Sequence, residues 1–170
     1  EKKDSEFSFS RKGTKAEHLA ASAIPTESRI YSVQQALLLG ASIDEVHSYS
    51  RIDRWFLAQI AAINTLAVKI EEAPELGAEL LREAKRAGFS DRQIASLRNI
   101  PASEIRSLRG RLNIHPVYKT VDTCAGEFEA FTPYHYSSYD LESEVRSRTK
   151  PDRKSTRLNS SHVALSRMPS

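Results

Sequence analysis

Apolar residues between Thr14 and Leu112 recur at the three- and four-residue intervals of amphipathic helices. The longest such pattern runs from Asp53 to Glu72, where Phe56, Ile60, Ile63, Ala67 and Ile70 share one helical face. Trp55, beside that stripe, is expected to widen the buried surface, and Gln59, Asn64 and Lys69 are expected to meet solvent. Leu76, Leu80, Leu81 and Ala84 extend the pattern into a following helix. Ile94 with Leu97, then Ile105, Leu108 and Leu112, predict two shorter ones.

Start and stop signals divide the pattern. Thr14 with Glu17, Ser42 with Glu45 and Ser90 with Gln93 each have the spacing of a capping box, in which two side chains satisfy free amides of a first turn. Asp53 suits the N-cap of the long element. Gly40 follows "SVQQALLL" and Gly88 follows "LLREAKRA", where a left-handed residue closes a helix at little steric cost. The predicted fold class is therefore all-α: a small multi-helix bundle held by tertiary packing, since such short helices are marginal alone.

After Leu112 the pattern changes. "NIHPVYKTVDT" carries Pro116 and β-branched residues, and "TPYHYSSYD" carries Pro133 and alternating aromatics, which predicts an extended strap following the bundle. The five aromatics Phe128, Phe131, Tyr134, Tyr136 and Tyr139 are too many for a free linker, so they are expected to pack against a surface.

Composition bounds this picture. The chain has 170 residues, of which 39% are hydrophobic, enough for one modest core. No apolar run approaches the roughly 20 residues needed to span a bilayer, and "EKKDSEFSFSRKG" lacks the apolar stretch of a secretory signal. These two features favour a cytosolic or matrix-type compartment, so a cytoplasmic location and no membrane partner are expected, and a single cysteine, unable to make an internal disulfide, implies no oxidising compartment. The formal net charge of +3 lies wholly in residues 152–170, where Arg153, Lys154, Arg157 and Arg167 face only Asp152; the first 151 residues hold 21 basic and 21 acidic side chains. That balance removes the long-range attraction on which nucleic-acid binders rely. The tail itself, "DRKSTRLNSSHVALSRMPS", resembles an in-frame translation of a short-read sequencing adapter interrupted by a barcode. Residues 152–170 are therefore expected to be non-native, with natural sequence ending near Pro151.

Candidate chemistry is sparse. Cys124 would serve as a nucleophile beside His115 or His135, but no local thiol-enzyme motif surrounds it, and a lone cysteine is commonly a small buried apolar residue. The histidines at 18, 47, 115, 135 and 162 lack paired ligand spacing, so no metal site is expected. Asp122, Glu127 and Glu129 suit caps or ion pairs as well as acid-base work. The six glycines never cluster into a phosphate-cradling loop, so no cofactor is expected in this stretch. Residues 88–114 offer the one alternative function: two short helices and a tight turn, like a DNA-reading helix-turn-helix with Arg106, Arg109 and Arg111 on its second helix.

The order of residues is more specific than their periodicity. "SIDEVHSYSRIDRWFLAQI", "AKRAGFSDRQIA" and "EIRSLRGRLNIHPVYKTVDTCAGEFEAFTPYHYSSYD" resemble the oligomerisation domain of the large chain of carbamoyl-phosphate synthase, over about Glu17 to Pro151. The most specific residues are Ile52, Asp53, Trp55, Phe56 and Leu57, then His115, Pro116, Val117, Tyr118, Lys119, Asp122, Thr123, Cys124, Glu127, Phe128, Tyr134, Tyr136 and Tyr139. The resemblance implies a parent enzyme with two ATP-grasp halves and this helical module between them. Such an enzyme makes carbamoyl phosphate from bicarbonate, two ATP and ammonia that a partner glutaminase subunit or domain releases from glutamine, with magnesium or manganese, for pyrimidine and arginine synthesis. It further implies a non-catalytic, self-associating module. The implied division is an unmatched, disordered segment 1–16, a helical domain 17–113, a strap 114–151 leading toward the second ATP-grasp half, and the tail. Two departures stand out: the first sixteen residues do not match the end of an ATP-grasp half, and Gly126 stands where the family commonly has alanine.

Overall fold

The computed structural model describes residues 7–121 and 134–145. Seven helices follow one another in this part of the chain: α1 (Lys15–Ser22), α2 (Arg29–Leu38), α3 (Ile43–Ser50), α4 (Arg54–Glu72), α5 (Ala78–Arg86), α6 (Asp91–Arg98) and α7 (Ala102–Arg111). Two strands, β1 (Val117–Val121) and β2 (Tyr134–Ser138), pair into a small sheet. The described residues fall into a helical unit, reaching to Pro116 and including Ser138–Asp140, and a second unit containing Val117–Ser137 and the residues from Leu141.

All three expected capping boxes are present. Thr14, Ser42 and Ser90 each accept the backbone N–H of the residue three positions on, at 3.3, 3.1 and 3.1 Å, and Glu17, Glu45 and Gln93 accept in return from the cap amides at 2.8, 2.7 and 2.9 Å. Asp53 caps α4 by accepting from the N–H of Trp55 at 2.8 Å. Gly40 and Gly88, at φ +87° and +92°, follow α2 and α5 in a conformation that side chains with a Cβ rarely adopt. Arginines close other ends. Arg98 reaches the carbonyls at the C-terminal end of α4 and just beyond it, contacting those of Ile70, Glu71 and Pro74 at 3.3 Å and that of Ala73 more closely, and Arg29 ties Ser22 O at 2.7 Å to Ser50 O.

The helical unit has two apolar clusters. One gathers Leu19, Val33, Ala36, Ala41, Val46 and Leu57 from α1 to α4. The other gathers Leu66, Ala67 and Ile70 with Leu81, Ala84, Phe89, Ile94, Ala95, Ile105 and Ile114. Helix α4 enters both, with Leu57 and Ile60 on the first and Ile63 onward on the second.

Three expectations for α4 are corrected. Phe56 and Trp55 are exposed, at 58% and 62%, while Leu57 is fully buried. Consecutive helical residues point about 100° apart, so three apolar residues in a row cannot share one partner surface. Among the described residues, the first turn of α4 packs against the first apolar cluster on its Leu57 side. Asn64, expected in solvent, is buried. Its side chain pairs with Gln34 across α2 and α4, which satisfies the polar groups that burial would otherwise leave unpaired.

Residues 7–12, which precede the first helix, carry specific contacts. Phe9 stacks on Phe89 at 5.1 Å, Phe7 meets Tyr31 edge-on at 6.0 Å, and Ser8 O accepts from Gln35 Nε2 at 2.6 Å. In the second unit, β1 and its neighbours are organised by Glu144, whose carboxylate accepts from Thr120 N at 2.8 Å and Lys119 Nζ at 3.2 Å, and whose N–H donates to Tyr118 O at 2.9 Å. Within the stretch expected to be an extended strap, the described residues 117–121 and 134–138 are extended and pair as strands.

Candidate functional site

The residues singled out from sequence occupy two neighbourhoods and one region outside the described residues. At the α3–α4 junction, Arg51 takes a left-handed conformation at φ +58° and ends α3, and Asp53 then starts α4. This short turn sets Ile52 half-buried and Leu57 inside, and leaves Trp55 and Phe56 outside as an edge-to-face pair, 5.0 Å between centroids and 87° between planes. Two adjacent large aromatics exposed on a helix start form an apolar projection of the kind that serves association. Arg54 beside them is paired with Asp44 at 2.7 Å.

The strap residues disperse. His115 and Pro116 are exposed, Val117 is half-buried at the start of β1, and Tyr118 is exposed. Lys119 is paired with Glu144. Tyr134 and Tyr136 on β2 are exposed, at 67% and 52%. Asp122, Thr123, Cys124, Glu127, Phe128 and Glu129 lie outside the described residues, so the thiol and acid-base readings have no geometry to weigh. Of the histidines, His135 faces Thr120 at 3.3 Å, His18 contacts Lys12 O at 2.8 Å, and His47 contacts Ile52 O at 2.7 Å, each engaged with its own neighbourhood. Among the described residues no group of three or more His, Cys, Asp and Glu side chains gathers where it could hold a metal ion. No helix among them is long and apolar enough to cross a membrane.

Tyr139 belongs to a different arrangement, which the sequence did not disclose. Within the helical unit, Asp91 at the start of α6 accepts from Arg109 of α7 in bidentate fashion, Nε to Oδ1 at 2.9 Å and Nη2 to Oδ2 at 2.8 Å, and from Lys85 Nζ of α5 at 3.1 Å. These side chains are between 8% and 14% exposed. Burial by itself would raise the Asp91 carboxyl, but the hydrogen bonds and charges of Arg109 and Lys85 outweigh it and hold Asp91 below the usual carboxylate range. The same bond from Asp91 raises Arg109 further. Tyr139 lies over both cations, 5.0 Å from Lys85 Nζ and 5.9 Å from Arg109 Cζ. No spacing rule links positions 85, 91, 109 and 139, because helix turns and packing bring them together.

The helix-turn-helix alternative meets this cluster directly. Helices α6 and α7 do adjoin, but Arg109, one of the three arginines a duplex would need, is turned inward onto Asp91; Arg106 and Arg111 remain exposed.

Together these features define a small, mostly helical packing module, with an exposed aromatic pair at one helix start and an internal ion cluster among α5, α6 and α7. The family model described as "Carbamoyl-phosphate synthetase large chain, oligomerisation domain" matches residues 1–113. The chain belongs to that family. It is 51% identical over 157 residues to the carbamoyl phosphate synthase large chain of Kocuria rhizophila, 52% over 145 residues to that of Micrococcus luteus, and 51% over 152 residues to that of Streptomyces coelicolor. These matches cover 89%, 85% and 89% of this chain, which spans 13% to 14% of the length of the curated relatives it matches. None of these descriptions names a DNA-binding module, and the helix-turn-helix reading has no support from them.

Proposed function

We propose that this chain is the central helical module of a carbamoyl-phosphate synthase large chain, working as a spacer and association surface between two ATP-grasp halves. The observation that carries this reading is the family match over residues 1–113, within which all seven described helices fall. In this reading the parent enzyme condenses bicarbonate, glutamine-derived ammonia and phosphate from two ATP, with magnesium or manganese held by the halves and a glutaminase subunit or domain as partner. The module holds no cofactor and acts in the cytoplasm. Its own contribution is rigidity: capped helices, two apolar clusters and buried polar contacts that fix the distance between the two halves. The exposed Trp55–Phe56 pair suits the role of an association surface, against the rest of the parent chain or a second copy. The strap, residues 114–151, leads toward the second half, and residues 152–170 are a non-native tail.

The experiment is a domain exchange. Residues 1–151 replace the corresponding segment of the Kocuria rhizophila large chain, and ammonia-dependent carbamoyl phosphate synthesis is assayed. The hybrid retains synthesis, while the 170-residue chain alone shows no bicarbonate-dependent ATP hydrolysis. Hydrolysis by the isolated chain, or a folded hybrid without synthesis, overturns the reading.

A further inference from the structure

The Lys85–Asp91–Arg109 cluster places two cations against one carboxylate, with Lys85 only 8% exposed and Asp91 and Arg109 14% exposed. One positive charge is left over in a place largely closed to water, where an uncompensated charge is costly. The partners of each cation show what remains to be supplied. An ammonium has three donors. Lys85 gives one to Phe89 O at 2.7 Å and one to Asp91 at 3.1 Å, and the Tyr139 ring stands 5.0 Å from the nitrogen. Arg109 turns Nε and Nη2 to Asp91 and Nη1 to Ile114 O at 3.1 Å, with the same ring 5.9 Å from Cζ. The negative face of an aromatic ring attracts cations at such distances, more strongly when water is kept away.

Tyr139 is also packed on the apolar cluster of α4 to α7. Its neighbours on the chain add polar ties: Asp140 lies 3.7 Å from Arg86 of α5 and accepts from Ser138 Oγ at 2.8 Å. Lys85 and Arg86 of α5, Asp91 of α6, Arg109 of α7 and Asp140 of the 138–140 segment therefore meet around Tyr139.

We propose that Tyr139 is a clasp: its ring seals the paired cations of Lys85 and Arg109 and thereby fixes residues 138–140 to the helical unit, setting the point from which the chain departs. This anchoring role is a property of the 170-residue chain by itself and does not depend on the chemistry of any parent enzyme. Asp91 is the positioning residue of the clasp, since it holds both cations beside the ring.

The experiment is NMR on the 170-residue chain, wild type and the variants Tyr139→Phe and Tyr139→Leu. In the wild type, the ring shifts the ε-methylene protons of Lys85 upfield and the amides of 139–141 have order parameters near the rigid value of about 0.85. Tyr139→Phe keeps both signatures because it keeps the ring. Tyr139→Leu keeps apolar bulk but loses the ring; the Lys85 protons return to ordinary positions, the order parameters fall below about 0.6, and exchange of these amides with solvent quickens roughly tenfold. Unshifted Lys85 protons in the wild type overturn the proposal without any variant. Unchanged order and exchange in Tyr139→Leu overturn it too, by showing that apolar contact alone holds the segment.

Discussion

Gln34 and Asn64 are joined by two hydrogen bonds across the α2–α4 interface, Gln34 Nε2 to Asn64 Oδ1 at 2.8 Å and Asn64 Nδ2 to Gln34 O at 3.1 Å. Gln34 is fully buried and Asn64 nearly so, and Gln35 donates to Gln34 Oε1 at 3.1 Å. Amides this well enclosed fix a register, because sliding either helix breaks both bonds at once. Asn64→Ala is expected to destabilise the chain by about 1 to 3 kcal/mol, since Gln34 then keeps a buried donor and a carbonyl with fewer partners. Urea unfolding measures this, and an unchanged midpoint refutes the role.

At the start of α4, Leu57 is buried and the adjacent Phe56 is exposed. Leu57→Ala removes a fully buried side chain from the first apolar cluster and is expected to cost about 2 to 5 kcal/mol. Phe56→Ala removes an exposed ring and is expected to change stability by less than about 1 kcal/mol. Thermal unfolding of the two variants side by side decides; a larger loss at Phe56 reverses the assignment of faces.

Asp91 gives the acid side of stability a specific origin. Its carboxyl is held below its ordinary value, with burial opposed and outweighed by Arg109 and Lys85. A depressed folded-state value means the carboxylate stabilises fully above the unfolded value, roughly pH 4, and the contribution disappears as pH falls through the lower folded value. Asp91→Asn is therefore expected to be less stable at neutral pH and to show a flatter decline below roughly pH 4. Urea midpoints from about pH 7 to about pH 2 test this; parallel curves for the two proteins count against it.

Ser90 supports α6 from its first turn, accepting from Gln93 N at 3.1 Å. Ser90→Ala is expected to cost about 1 kcal/mol, and Ser90→Gly only a few tenths, because glycine tolerates the cap conformation. Gln93 also donates to Phe7 O at 3.2 Å, so loosening this turn should increase proteolysis near residue 7. Mass spectrometry of limited digests reads that second effect.

Local rules carried much of the architecture. Capping boxes at Thr14, Ser42 and Ser90, the Asp53 cap, and the left-handed stops at Gly40 and Gly88 all depend on a few neighbouring residues, and each is readable from spacing. Periodicity fails where it is degenerate. "WFL" offers three apolar residues over some 200° of helix, and choosing Leu57 requires knowing where α2 and α3 lie. Asn64 looks solvent-facing in the sequence because its partner is 30 positions away. The strand pairing of 117–121 with 134–138 is likewise non-local, as is the Asp91 cluster, whose members come from four separate places in the chain. Family membership is legible through residue order, although the family match begins at residue 1, ahead of Glu17, where the resemblance in residue order starts.

Helix α4 has 19 residues and so rises about 28 Å, with Leu57 and Ile60 serving one apolar cluster and Ile63 to Ile70 the other. A beam embedded at both ends transmits damage as well as load. Heating that withdraws Leu57 from its socket also frees one end of the support for Ile70, so the two cores are expected to share a single melting event, which one calorimetric transition would show.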